Sequence, residues 1–117
     1  MVKARTVLAR ATAFGSGIAL TTAGSQDLAG IFKALSDPQR VQIINMLVTS
    51  DEAQCVSDIA GFLGLEDSQS RVSYHIKQLV NAGLIEGERD GNLIFYSLVD
   101  DALDKLAALF DAPLAGN

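Results

Sequence analysis

The 117-residue sequence contains one cysteine, one histidine, two prolines and no tryptophan. A single thiol forms no internal disulfide, and the expected setting is reducing and cytoplasmic. A single imidazole cannot supply the paired histidines of a zinc hydrolase. There is also no Gly-rich phosphate loop and no nucleophile with a base at recognisable spacing, so no enzyme is expected. No stretch reaches the roughly 18 uninterrupted apolar residues that a membrane span requires, which excludes the membrane as a partner. Positive charge is scarce too: 9 Lys+Arg stand against 14 Asp+Glu, a formal net charge of −5. That balance opposes non-specific attraction to nucleic acid, although specific binding depends on where the cations sit. What is abundant is apolar residues, at 49% against 20% charged, the balance of a single folded globular domain with a modest core.

The most informative stretch is DSQSRVSYHIKQLVNAG, residues 67–83. Val72, Ile76, Leu79 and Val80 recur at helical spacing and predict one buried face. Asp67 or Ser68 can cap the start, and Gly83 ends the helix. The opposite face holds Gln69, Ser70, Arg71, Ser73, Tyr74, His75 and Lys77, rich in hydrogen-bonding groups and free of carboxylates. Gln pairs with adenine edges, Ser serves several bases, and Arg or Lys neutralises phosphates or reads guanine. The competing reading of this helix alone is an ordinary solvated face, so the flanking sequence decides.

Residues 1–25 carry Lys3, Arg5 and Arg10 with no acid, and Gly15, Gly17 and Gly24 interrupt them. The outline is that of an export signal, but Arg5 and Arg10 break the uncharged core such a signal needs. The expected structure is a short helix near residues 4–13 and a flexible Gly/Ser segment, serving as a basic arm or as a strap across a partner subunit. The domain proper is expected over 26–112. Leu28, Ile31, Phe32 and Leu35 predict a core-facing helix, and Asp37-Pro38 caps and starts the next, whose stripe is Val41, Ile44, Leu47 and Val48. Gln54-Cys55-Val56 allows only a brief strand, and a short helix follows with Ile59, Phe62 and Leu63 inward. A Gly-containing turn then leads into the 67–83 helix, which completes a helix-turn-helix.

After Gly83 the period becomes alternating on either side of Arg89-Asp90-Gly91-Asn92, which predicts a two-stranded hairpin. A terminal helix over 101–111, with Leu103, Leu106, Ala107, Leu109 and Phe110 on a broad apolar surface, ends near Pro113 and Gly116. The fold class is mainly α with a small β-hairpin wing. Its terminal helices carry more apolar surface than so small a core can cover alone, which calls for a partner surface.

Three segments resemble the ArsR/SmtB family of winged helix-turn-helix bacterial transcriptional repressors. Phe32-Lys33-Ala34-Leu35-Ser36-Asp37-Pro38-Gln39-Arg40 is similar to the family's KALSDPTR signature. Residues 69–76 are similar to its QSxVSxHL recognition helix, and Phe95-Tyr96-Ser97-Leu98 resembles its YYSL. The resemblance covers roughly residues 27–110. It implies that Gln69, Ser70, Ser73 and Tyr74 meet base edges, that Arg71, His75 and Lys77 lie near the DNA backbone, and that Arg89 reaches the adjacent minor groove from the wing. It also implies a homodimer joined by its terminal helices, bound to a palindromic operator with recognition helices about 34 Å apart.

The resemblance further implies release from DNA by a metal, a divalent transition ion among the candidates, or by another small effector. The sequence departs from the family's metal sites. Where the arsenic and cadmium type has CVC, this chain has Cys55-Val56-Ser57, and a hydroxyl replaces a thiolate poorly at a soft metal. Where the zinc type pairs carboxylate and imidazole on the last helix, Asp100 matches but no histidine follows. Asp100, Asp101 and Asp104 are candidate oxygen ligands; their ordinary role is to complement a helix N-terminus, with Asp101 and Lys105 paired at i, i+4. Cys55 reads either as a buried small hydrophobe or as a thiol sensor. A second function stands beside the regulator: a winged-helix interaction module working with a partner protein, favoured by the net acidity and by Glu86, Glu88 and Asp90 around the wing.

Overall fold

A computed structural model of the chain describes residues 20–110. The helix expected at 4–13 and the helix end expected at Pro113 and Gly116 lie outside them. Among the described residues the helices are α1 (Thr22–Ala34), α2 (Pro38–Thr49), α3 (Val56–Leu63), α4 (Gln69–Asn81) and α5 (Asp100–Leu109). The hairpin β1 (Ile85–Asp90) and β2 (Leu93–Leu98) stands between α4 and α5. The described residues divide into two compact units, 29–99 and 20–28 with 100–110.

In the larger unit α2, α3 and α4 pack on one another, with β1 against α4 and β2 against α2. Ile43, Ile59, Val72, Leu79 and Leu84 are wholly excluded from solvent and form the centre. Burying each such side chain is worth roughly 1.5–3 kcal/mol. Asp37 starts α2 as expected: its Oδ1 accepts the backbone N–H of Gln39 at 2.8 Å and of Arg40 at 3.3 Å, and Pro38 takes the first helical position. The turn between α3 and α4 closes when the Leu65 N–H reaches back to Ala60 O at 2.8 Å. Before α4 proper, Glu66–Ser68 forms one 3-10 turn, so α4 begins without a side-chain cap from Ser68.

The helical stripes differ in phase from the sequence expectation. In α2 the buried residues are Ile43 and Leu47, while Val41 and Val48 are about half exposed. In α3 Ile59 and Ala60 point inward and Phe62 outward, and Phe32 of α1 is exposed where Ile31 and Ala34 are buried. Apolar residues outnumber buried positions on these short helices, so several phases satisfy the period and packing selects one. Helix α1 also begins at Thr22, ahead of Gln26, because Thr21 Oγ1 accepts the Gly24 N–H at 2.9 Å and caps it.

The hairpin pairs Ile85 with Leu98 and Asp90 with Leu93, which leaves Gly91-Asn92 as a two-residue turn. Gly91 has φ +67°, and among the described residues no non-glycine has positive φ, so this is a type II′ turn with glycine at its first central position. Gln54 and Tyr96 exchange backbone hydrogen bonds of 3.0 and 2.8 Å, tying the segment before α3 to β2. In the smaller unit, Leu20, Gly24 and Leu28 together with Lys105, Ala108 and Leu109 line an apolar groove of about 240 Å³. The terminal helix starts at Asp100, earlier than expected, and its buried residues are Ala102 and Asp104, with Phe110 exposed.

Candidate nucleic-acid interface

Helix α4 has two sharply different sides. Val72, His75, Ile76 and Leu79, at i, i+3, i+4 and i+7, are buried. Gln69, Ser70, Arg71, Ser73, Tyr74 and Lys77 are all exposed, so the structure brings these predicted contact residues onto one surface. Their charge is positive, with no carboxylate on the helix. The groups needed to read base edges and neutralise phosphates share that face.

His75 departs from the expected set. Only 6% exposed, it cannot share the outer face with Lys77 and occupies the inward position expected for Val80, which is 38% exposed. Both ring nitrogens are engaged from the start of α2: Arg40 Nη1 lies 3.3 Å from Nδ1, and Gln39 Oε1 lies 3.0 Å from Nε2. A guanidinium can only donate, so Nδ1 accepts and the proton sits on Nε2, donating to Gln39. Arg40 is itself held by its Nε bond to Ala34 O at 2.7 Å. Desolvation lowers the His75 pKa below its ordinary value; Asp37, with Oδ1 4.0 Å from Nε2, raises it, while Arg40 and Arg71 lower it further. Partial burial raises the Asp37 carboxyl, but the amides of Gln39 and Arg40 and the charges of His75 and Arg40 outweigh that and hold it below 3.8. Sequence reading found Asp37 as a cap but missed Gln39 and Arg40 as partners of α4. The spacing of residues 72, 75, 76 and 79 was the available signal.

The wing sorts its charges by strand alternation. Glu86, Glu88 and Asp90 stand opposite Ser97, Phe95 and Leu93, while Gly87 and Arg89 stand opposite Tyr96 and Ile94. The second set faces α4: Gly87, Ile94 and Tyr96 join Ser73, Ile76, Lys77 and Val80 around an open groove of about 420 Å³. The carboxylate face lines a separate hollow containing Ala53, Glu86, Glu88, Phe95 and Ser97. Arg89 is therefore on the same side of the wing as the groove, and the acids are on the other. Gly87 permits this arrangement by its lack of a side chain, since a Cβ there would lie 2.7 Å from Ile94 Cγ2 and 2.8 Å from Tyr96 Cε1.

The effector candidates do not assemble into a metal site. Cys55 is buried at the start of α3, where its thiol and its backbone N–H both donate to Asp58 Oδ2, at 3.2 and 3.1 Å. That is the position of a packed, capped residue and not the exposed thiol that a sensor requires. Asp100 and Asp101 are exposed whereas Asp104 is buried. Among the described residues no three His, Cys, Asp or Glu side chains converge. The described residues thus form no cluster fit for a metal ion within one protomer. Among those residues, too, no helix is long and apolar enough to cross a membrane.

A helix-turn-helix followed by a two-stranded hairpin against its second helix defines a winged helix-turn-helix protein. The family model described as bacterial regulatory protein, arsR family, matches residues 37–86. A cadmium resistance transcriptional regulatory protein CadC homolog from Staphylococcus aureus is 39% identical over 80 residues, 68% of this chain and 64% of that protein. The arsenical resistance operon repressor of Bacillus subtilis is 37% identical over 75 residues, 64% of this chain and 69% of the repressor. The solution structure of a homodimeric winged helix-turn-helix DNA-binding domain from Mycobacterium bovis, a possible ArsR-family regulator, superposes with a TM-score of 0.61 at 27% identity. That match covers 73% of this chain and 75% of the other. The chain belongs to the arsR family of bacterial regulatory proteins, whose members are regulators and not enzymes.

Proposed function

We propose that the protein is a dimeric, sequence-specific DNA-binding transcriptional regulator of the repressor type. The observation that carries this reading is the sorting of charge. Arg71 and Lys77 on the exposed side of α4 and Arg89 on the groove face of the wing present cations to one surface, while Glu86, Glu88 and Asp90 turn to the opposite wing face. The carboxylates that favoured a protein-interaction module thus stand away from the surface that would meet phosphates. Gln69, Ser70, Ser73 and Tyr74 are assigned to base edges, and Arg71, Lys77 and Arg89 to the backbone and minor groove. A second copy docking through the terminal helices would place two α4 helices about 34 Å apart on a palindromic operator.

Fluorescence anisotropy against the DNA upstream of the protein's own gene and a scrambled control, at several salt concentrations, tests the proposal. A sequence-reading regulator prefers the upstream DNA, and its log affinity falls with log salt at about −0.9 per neutralised phosphate. No binding to either DNA at low salt, from folded dimer, would return the reading to the interaction module.

A further inference from the structure

We propose that His75 is a positioning residue for DNA binding: its neutral ring, clasped by Arg40 and Gln39, holds the middle of α4 in its reading position, and protonation of the ring releases that hold. The inference rests on α4 being the DNA-contacting helix.

Arg40 Nη1 is 3.3 Å from Nδ1 and Gln39 Oε1 is 3.0 Å from Nε2, so the neutral Nε2–H ring satisfies both partners. A proton added at Nδ1 removes the only acceptor the guanidinium has on that ring and sets two cations face to face at a partly buried contact. Arg40 cannot simply retreat, because its Nε is fixed to Ala34 O at 2.7 Å. The ring must part from Arg40 instead. Ser73, Tyr74 and Lys77 occupy the same turns of α4 as His75, on its exposed side, so movement of the ring carries them with it. The charged groups acting on the ring are Asp37 and Arg40 from the start of α2 and Arg71 from α4 itself. Asp37, 4.0 Å from Nε2, favours the cation but lies beyond hydrogen-bonding distance. Desolvation and the two arginines oppose the cation.

The sign of the effect separates this role from direct phosphate contact. A histidine touching phosphate binds DNA more tightly when protonated, whereas a released clasp loosens binding on acidification although the protein has gained positive charge. By linkage, a tenfold loss of affinity across the titration means that DNA lowers the His75 pKa by about one unit. The field of the DNA alone would raise it.

The chain has one histidine, so its imidazole signals need no assignment in an untagged protein. We would follow the ring nitrogens by long-range ¹H–¹⁵N NMR from pH 8 to about pH 5, with and without DNA, and measure DNA affinity over the same range. The expected result is an Nε2–H tautomer titrating below 6.5, an affinity falling about tenfold as it titrates, and a lower pKa with DNA bound. His75→Asn keeps an acceptor for Arg40 without a titrating ring and should remove most of the pH dependence of binding, whatever its affinity at neutral pH. If it does not fold, the wild-type titrations decide alone. A ring titrating at or above 6.5, or an affinity that stays flat or tightens across its titration, overturns the inference while leaving the regulator intact. No DNA binding at any pH from folded protein overturns the regulator reading and, with it, this one.

Discussion

The two faces of the wing are made from the same strands and carry opposite charge. On one face Arg89 shares the side of Gly87, which lines the groove against α4, and on the other Glu86, Glu88 and Asp90 stand opposite Ser97, Phe95 and Leu93. A formal charge of −5 therefore says little about the surface offered to a polyanion. Strand alternation resolves a net-acidic chain into a cationic side and an anionic side within a few ångströms.

That contrast can be broken most severely at Gly87. Gly87→Val would drive its side chain into Ile94 and Tyr96, which stand 2.7 and 2.8 Å from the Cβ position. We expect a loss of about 1–3 kcal/mol in urea denaturation and, in the surviving fold, a displaced Tyr96 ring and weakened DNA binding. Unchanged stability would show that the close approach is not constraining.

Charge comes next. Arg71→Ala or Lys77→Ala should weaken binding across all sequences and reduce the magnitude of the salt slope by about 1, and Arg89→Glu should weaken it more. Gln69→Ala or Ser73→Ala should instead relax preference at single base pairs, by about 1–3 kcal/mol. Anisotropy titrations on single-substitution operators distinguish the two patterns, and four neutral outcomes would reject the assignment of α4.

A smaller effect is expected beneath both faces. Asp37→Ala removes the side-chain acceptor for Gln39 and Arg40 and should cost about 1 kcal/mol. Stability should also depend on pH through two groups. His75 binds its proton less tightly when folded, so the unfolded chain takes up the extra proton first as pH falls below about 6.5, and stability declines there. Asp37, also depressed, contributes stability above 3.8 that is lost as pH falls below that value. Denaturation midpoints between pH 8 and 3 should step down in that order, with the first step absent in His75→Asn. The smallest change belongs to the outer wing face, where Glu88→Gln should alter stability by less than about 0.5 kcal/mol and leave DNA affinity level or slightly tighter. A marked loss of affinity would place the DNA on the wrong face.

The order of elements was legible in the sequence because Asp37-Pro38, Gly83 and Gly91 punctuate it. The exposed set from Gln69 to Lys77 was legible for the same kind of reason: its polar groups lie opposite Val72, Ile76 and Leu79. The phase of α2 was not, since Val41, Ile44, Leu47 and Val48 make as good a stripe on paper as Ile43 and Leu47 do in the fold. His75 was misplaced because what pulls it inward is not local. Its partner Arg40 is 35 residues away in sequence, and only tertiary packing makes a polar ring acceptable inside.

The hairpin consists of two strands, and among the described residues β1 pairs with β2 alone. Its other edge offers backbone donors and acceptors to any strand that drifts past, a hazard that grows with the concentration of newly made chains. Four of its six residues, Glu86, Glu88, Arg89 and Asp90, are charged. Charge at these positions makes the edge a poor template for sheet growth between molecules, whatever the opposite face reads.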